Sequence, residues 1–507
     1  MAPEPSPAST ARVAFGGLWI ALALGAFLIF YQLAQQSVYV DEAFTLDAAR
    51  MPIGAMLAQL AQHDAHPPLL YLYVHAAMSL LHWPSTWYRY LVAPFGLVTI
   101  ACTWALARRA FGDIAAAAAA LVIATEPTLL LFDRLLRMYA PLTALTALSC
   151  VLLLRASTAQ TPRSRTIAWI LYGVCALVMP YVMYLGAIVI ASQCAYALFD
   201  LRRRWPALAW GAVSFVCTIP WWWGIKEQFP QSGYTGGKGL AAAAWSARDV
   251  LGYALPTTWY TGTHFDLIFA IVVVAISIAG LVLARGGAVA IYWCALAVMV
   301  IATFALGRNL VFARYLVYLV PAFAVAVGAI AAIVMKTRWR VAGVALVLAF
   351  LAINSVGDAD QLVDKFYQSS DWNTVAAIMS QNERPGDVIL FVQGYSYLVF
   401  EDSLSVAGHD VFGPQSPASI PQTYEWLDRH AGARVWYIEN QAWYADPKHE
   451  IKDRISATRP RLREWFEPRS DPSSTVFFAL YGPEAKCSMP AKGPQPSCAR
   501  HTTSTSK

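Results

Sequence analysis

Charge is scarce in this chain. Only 13% of its 507 residues are Asp, Glu, Lys or Arg, against roughly 25% in a soluble domain. That excludes a water-soluble protein over most of its length. Metal and redox spacings are missing too. Cys102, Cys150, Cys175, Cys194, Cys217 and Cys294 belong to no CxxC or His-rich pattern, so they read as small core residues. There is no P-loop: Tyr234-Thr235-Gly236-Gly237-Lys238-Gly239 lacks the spacing and the flanking strand. No nucleic-acid motif occurs, so nucleic acid is not an expected partner. The net charge of +6 instead suggests Arg and Lys gathered on the cytoplasmic side of a membrane. No small-residue cleavage site follows the first apolar run, Leu18 to Leu33, which therefore reads as a retained span.

What is present is apolar: 58% of the residues are hydrophobic, and the long runs stop near residue 357. Candidate spans are 18–33, 88–107, 112–132, 138–155, 167–180, 181–199, 206–224, 265–284, 287–306, 314–335 and 340–356. Six basic clusters test this arrangement: Arg12; Arg108-Arg109; Arg155 with Arg163 and Arg165; Arg202-Arg203-Arg204; Arg285; and Lys336 with Arg338 and Arg340. With about 11 transmembrane helices and a cytoplasmic N-terminus, every cluster falls inside. This requires a hairpin near Pro180. It also keeps 67–82, too short at about 15 residues, from crossing.

The expected architecture is a polytopic α-helical membrane protein with a C-terminal α/β extracytoplasmic domain. Residues 1–11 are a disordered N-terminus and 12–357 the transmembrane catalytic domain, with outer loops 35–87 and 225–264. Residues 358–482 form the α/β domain and 483–507 a flexible tail, where Cys487 and Cys498 could pair outside the cytoplasm. In the α/β domain we expect a helix over 371–381 capped by Asp371, a turn at Pro385-Gly386-Asp387 and a second helix over 423–430. Strands are expected over 388–392, 434–438 and 476–480.

The chemistry-bearing residues cluster at span ends on the expected outer face. Acidic groups beside hydrocarbon are costly and more often functional than incidental. Asp41 and Glu42 directly follow the first span and suit a general base, a metal ligand or a cation site. The plainer alternative is a helix start, with Asp41 as its cap and Glu42 in solvent. Asp64 and His66 share the same loop. His66 could orient a carboxylate, donate to a phosphate or bind metal. Arg134 and Arg137 lie against the positive-inside trend; three apart, they share a side if the turn is helical. A guanidinium fork suits phosphate oxygens, though Arg134 could instead pair internally with Asp133 or the Asp41/Glu42 pair. Arg314 and Tyr315 open a later span and suit a lipid phosphate, whereas Arg308 reads as a snorkelling residue. Asp64, together with Lys238, Trp259 and Tyr260 of the 225–264 loop, offers substrate contact, and the aromatic residues of that loop also suit an interfacial belt. The sequence singles out no cofactor; Asp41, Glu42, Asp64 and His66 could together ligate a divalent ion, but the spacing matches no strong zinc pattern. A divalent cation on Asp41, Glu42 and His66 is the one candidate.

Val40-Asp41-Glu42-Ala43-Phe44-Thr45, His66-Pro67-Pro68-Leu69-Leu70-Tyr71, Arg137-Met138-Tyr139 and Arg314-Tyr315-Leu316 together resemble the glycosyltransferase-C superfamily. The nearest branch holds the bacterial relatives of dolichyl-phosphate-mannose–protein mannosyltransferases and of lipid A aminoarabinose transferases. The resemblance covers roughly residues 15–357, and the soluble end resembles the outer domain of bacterial members. It implies a multi-pass enzyme of the bacterial cytoplasmic (inner) membrane that takes a mannose-like or other sugar from a polyprenyl-phosphate donor. The partners are then that donor, membrane lipid and an acceptor protein, lipid or glycan. The family's acidic residue maps onto Asp41. One departure is Leu135, which stands where relatives often carry Glu.

The expected mechanism has Asp41 as base, with Arg137, Arg314 and Arg134 on the departing phosphate and His66 positioning either group. The alternative is a polytopic lipid or solute transporter or flippase, which would need midplane charges and half-to-half symmetry. Neither is visible in the sequence.

Overall fold

The computed structural model describes residues 7–200, 204–228, 313–364, 370–394, 396–401, 409–443, 445–469 and 474–484, with single helical positions at 275, 279, 282 and 297. The chain divides into two units, Met1–Ser369 and Ser370–Lys507. The expected boundary after 357 moves, because the last long helix of the first unit runs to Val363. Spans expected over 265–284 and 287–306, and the 483–507 tail beyond Glu484, fall outside the described residues.

In the first unit, seven helices among the described residues are long and apolar enough to cross a membrane. They are Ala11–Phe30, Ser85–Phe111, Tyr139–Thr158, Pro162–Val182, Arg204–Gln228, Arg314–Met335 and Arg340–Val363. The elements, in chain order, begin with α1 (Pro7–Phe30), followed by three short helices, α2 (Val40–Arg50), α3 (Ile53–His63) and α4 (Leu69–Leu81). Next come α5 (Pro94–Phe111), α6 (Asp113–Ala124), α7 (Pro127–Asp133), α8 (Tyr139–Thr158), α9 (Pro162–Val182) and α10 (Leu185–Asp200). After α11 (Arg204–Cys217) and α12 (Trp222–Gln228), the unit closes with α13 (Val320–Met335) and α14 (Arg340–Val363). The hairpin expected at Pro180 turns two residues beyond it: α9 ends at Val182 and α10 starts at Leu185.

Helix α6 forms the centre of this unit, packed against α1, α5 and α13. Its run from Ala115 to Ala120 is buried throughout, and such small residues let backbones approach closely in a membrane. Gly17 and Gly328 complete the fit. A Cβ on Gly17 would stand 2.6 Å from the Ala117 Cβ, and one on Gly328 would run into the Ala115 carbonyl.

Helices α6 and α7 form one apolar stretch bent by 59°. Pro127, in the first turn of α7, cannot continue the hydrogen-bond ladder, and the chain kinks there. The backbone groups freed at the kink find partners. Glu126 accepts from the Leu129 N–H at 2.7 Å. From α14, Asn354 donates to the Val122 carbonyl at 3.3 Å and Gln361 to the Pro127 carbonyl at 3.0 Å. Buried amides on a neighbouring helix are what such a break requires where no water is available.

The second unit is a five-stranded sheet in the order β2-β1-β3-β5-β4. Its strands are β1 (Val388–Val392), β2 (Asp410–Phe412), β3 (Val435–Glu439), β4 (Arg461–Glu467) and β5 (Val476–Tyr481). The β1 strand pairs in parallel with both neighbours, and β5 pairs antiparallel with β3 and β4. All five β1 residues are buried, as expected of a strand inside a parallel layer. Helices Trp372–Asn382, Ser396–Glu401, Ile420–Arg429 and Glu450–Thr458 accompany the sheet. The Asp371 carboxylate accepts from the Thr374 N–H at 3.0 Å, which fixes the start of the first. The sequence indicated β1, β3 and β5, but β2 and β4 were not expected. The former has only three residues, and the latter is a largely exposed edge strand, Arg-Leu-Arg-Glu-Trp-Phe-Glu.

Candidate active site

Five separated segments of the first unit bring polar side chains together. They are the start of α2, the Asp64–Pro68 loop, α4, the Arg134–Met138 turn with the start of α8, and the short helix Ala313–Leu316. Asp41 occupies the first turn of α2. Its carboxylate lies 3.6 Å from the Arg314 guanidinium, and both side chains are about one-third exposed, at 34% and 38%. Its backbone carbonyl accepts from Arg137 at 3.1 Å.

Arg137 is the hub. Its Nη1 also donates to the Thr45 hydroxyl at 2.9 Å and the Tyr71 hydroxyl at 3.3 Å, and its Nη2 lies 3.3 Å from His66 Nδ1. Arg314 lies over the Tyr315 ring, 5.5 Å from its centroid.

Asp64 holds His66 through an Nδ1···Oδ1 contact of 2.8 Å and accepts from the Tyr71 hydroxyl. Burial would raise the Asp64 carboxyl. The charge of His66, its hydrogen bond, the charge of Arg137 and the Tyr71 hydroxyl outweigh that and hold it below its ordinary value. With Nδ1 occupied, His66 presents Nε2. Among the described residues, that atom, Arg137 Nε and the Tyr139 hydroxyl are buried without a hydrogen-bond partner, as is Arg134 Nη2. Buried polar atoms usually find partners, so the open atoms on His66, Arg137 and Tyr139 are available to a polar ligand.

Two expected site residues are corrected. Glu42 is not in solvent and not free: it is 1% exposed. Its Oε1 accepts from Arg89 Nε at 2.8 Å and from the Leu136 N–H at 2.7 Å, and its Oε2 from Arg89 Nη2 at 2.5 Å and the Tyr39 N–H at 2.9 Å. With each oxygen accepting twice, Glu42 has nothing left for a proton or a cation. Among the described residues, no group of three or more His, Cys, Asp or Glu side chains is placed to hold a metal ion.

Arg134 also departs. It pairs with neither Asp133 nor the Asp41/Glu42 pair. Its Nη1 donates to the carbonyls of Leu28, Ile29 and Tyr31 at 3.0, 2.8 and 2.8 Å, closing the orphaned C-terminal end of α1. The two arginines diverge because the turn is not helical. The Arg137 N–H returns to the Leu135 carbonyl at 2.6 Å, a three-residue turn that breaks the helical spacing.

Arg89 was not anticipated. Besides Glu42, it donates to the carbonyls of Leu33, Gln36 and Ser37 at 3.0, 2.9 and 2.8 Å. A signal existed in the sequence: Arg89 sits alone at the expected outer end of an apolar run, the argument that singled out Arg134 and Arg137. Tyr71 and Thr45 were likewise given no role. Lys238, Trp259, Tyr260 and Arg308 lie outside the described residues.

Residues 65–223 match the family described as dolichyl-phosphate-mannose-protein mannosyltransferase. No curated protein matches the chain in sequence. Among solved structures, ArnT from Cupriavidus metallidurans in the apo state superposes with a TM-score of 0.56 at 15% identity, covering 92% of this chain and 98% of that one. The same protein bound to undecaprenyl phosphate gives 0.55 at 15% identity, covering 91% and 98%. The Archaeoglobus fulgidus oligosaccharyltransferase complexed with Zn and sulfate gives 0.53 at 14% identity, covering 92% of this chain and 73% of that one. At such identities the structural likeness establishes a shared fold. The family match spans the part of the chain that holds His66, Arg137 and Tyr139, and the fold of this multi-pass membrane chain is similar to that of ArnT.

Proposed function

We propose that the chain transfers a sugar from a polyprenyl-phosphate donor to an acceptor hydroxyl at the outer face of a bacterial cytoplasmic membrane. The observation that carries this reading is the meeting of Asp41, His66, Arg137, Tyr139 and Arg314 from distant parts of the chain, with buried donor atoms on His66, Arg137 and Tyr139 left open. A carboxylate and an anion-binding group within one sugar's length of each other are what direct displacement at an anomeric carbon needs. ArnT, solved with undecaprenyl phosphate, supports a lipid phosphate as the leaving group. The basic clusters support the orientation, with the N-terminus in the cytoplasm and the second unit outside.

In this mechanism Asp41 removes the acceptor's hydroxyl proton. The acceptor oxygen bonds to the anomeric carbon as the bond from that carbon to the phosphate oxygen breaks. The electron pair departs with the polyprenyl phosphate. A single displacement inverts the anomeric centre. Charge grows on the leaving phosphate, and Arg137, Tyr139 and His66 Nε2 would face it. Donors already in place stabilise such charge without reorganising. Arg314, now on Asp41, is exposed enough to move onto the phosphate and free the carboxylate as base. No step runs through a metal.

Purified protein incubated with a panel of polyprenyl-phosphate hexoses and pentoses, scored for released lipid phosphate and labelled acceptor, tests the reading. Sugar-dependent release of lipid phosphate is expected. Silence across the panel, from folded protein with lipid acceptors, glycans and peptides all supplied, would reject it.

A further inference from the structure

Behind the His66 segment lies a chain of side-chain hydrogen bonds whose direction is fixed at one end. Trp221, buried after α11, donates through Nε1 to the Tyr184 hydroxyl at 2.8 Å. Indole nitrogen only donates, so Tyr184 uses its own proton on the Gln228 side-chain oxygen. That turns the amide nitrogen of Gln228 the other way. It donates to the Leu60 and His66 carbonyls, each at 2.9 Å. Gln228 is 1% exposed, and both ends of its amide are engaged.

The two carbonyls it grips flank the loop that carries Asp64 and His66. Within the loop, the Asp64 carboxylate accepts from the Ala65 N–H at 2.7 Å and meets His66 Nδ1. Pro67 and Pro68 follow His66 and contribute no N–H. The His66 backbone is thus held from outside the loop, and Gln228 ties its carbonyl to that of Leu60 in the last turn of α3. From the geometry we infer that Gln228 is a positioning residue. It clamps residues 60–66 so that His66 Nε2 points at the leaving phosphate while Nδ1 stays on Asp64. The catalytic part of this inference rests on the glycosyl-transfer reading above.

Two measurements on the full-length protein test it. Hydrogen–deuterium exchange across residues 61–66 reads the clamp without reference to activity. Gln228→Leu should speed exchange there by about tenfold, as expected when buried bonds restraining a loop are lost, and leave α8 unchanged. A double-mutant cycle then reads the catalytic consequence. Gln228→Leu should lower kcat by about 10- to 100-fold, the scale expected of a misplaced group, with little change in acceptor KM. In a His66→Ala background it should lower kcat by less than about twofold, because its effect passes through His66. Tyr184→Phe leaves Gln228 present but unoriented and should reproduce a smaller share of both effects. It serves in place of Gln228→Leu should that variant not fold.

Unchanged exchange over 61–66, or the same kcat loss with and without His66, overturns the inference. A wild-type protein that releases no lipid phosphate defeats the functional reading instead. The exchange result then still decides whether Gln228 holds the segment.

Discussion

Glu42 and Arg89 form a two-armed ion pair, with contacts of 2.8 and 2.5 Å, buried to 1% and 3% side-chain exposure. The pair does more than join two helices. Through the Leu136 N–H, Glu42 also holds the turn that carries Arg137, so the helix start bearing Asp41 and the turn bearing Arg137 share one anchor. Glu42 thus sets the distance between the proposed base and the proposed phosphate site without touching either reactant.

Breaking this pair from one side leaves a buried charge uncompensated, which costs about 3–5 kcal/mol. Glu42→Ala and Arg89→Ala should each lose stability on that scale. Thermal unfolding in detergent or nanodiscs, with the double variant included, measures it. The double variant should lose clearly less than the sum of the singles. Strict additivity would mean that the two side chains do not depend on each other.

Asp41 should behave differently from its neighbour. Its carboxylate is partly exposed and, among the described residues, pairs with Arg314 at 3.6 Å, so Asp41→Asn should fold normally. If Asp41 is the base, turnover falls by about 10²- to 10⁴-fold. The comparison with Glu42→Gln is informative: one variant loses rate with the fold intact, while the other loses stability first. Turnover of Asp41→Asn near the wild-type rate would remove Asp41 from the chemistry.

The difference between Asp41 and Glu42 shows where the sequence was legible. Residue types and their placement singled out Asp41, His66, Arg137 and Arg314, because polar groups beside hydrocarbon need a reason to be there, and the fold brings these four together. Adjacent helical residues, however, point about 100° apart, and nothing in Asp-Glu says which one faces the interior. The three-residue spacing of Arg134 and Arg137 misled for a related reason: it assumes a helical turn, and Leu135 closes a tighter one. In the second unit the buried strand β1 was plain from its unbroken apolar run. The edge strand β4 carries four charged residues in seven, so its pattern is set by exposure and did not read as a strand. The kink at Pro127 was open to inference, but its amide partners Asn354 and Gln361 come from more than two hundred residues away.

Arg134 and Arg137 should separate by the same logic. Arg134 serves three carbonyls at the end of α1, and hydrogen bonds to a charged group contribute about 1.5–3 kcal/mol. Arg134→Gln should therefore lower the unfolding midpoint while folded molecules bind lipid phosphate with wild-type affinity. Arg137→Gln should weaken that binding by at least about tenfold, the scale of one charge-assisted contact. Titration with a polyprenyl phosphate, normalised to folded protein, checks both. An Arg134 variant that is stable but cannot bind the lipid would return Arg134 to the phosphate site.

Asp64 gives the pH prediction. Its carboxyl is held below its ordinary value of 3.8 in the folded protein, where burial is outweighed by His66, Arg137 and Tyr71. A carboxyl lowered by folding adds stability that is complete above its unfolded value and is lost as pH falls through its folded value. The contribution of the Asp64 carboxylate to the stability difference between wild type and Asp64→Asn should be complete above about pH 4, the unfolded carboxylate value. Below that it should shrink, as the wild-type carboxylate takes up a proton and releases His66. Unfolding midpoints for both proteins across this range decide the matter. A difference that stays constant down to the lowest accessible pH would mean that Asp64 is not held as a carboxylate, and that His66 takes its orientation from the backbone alone.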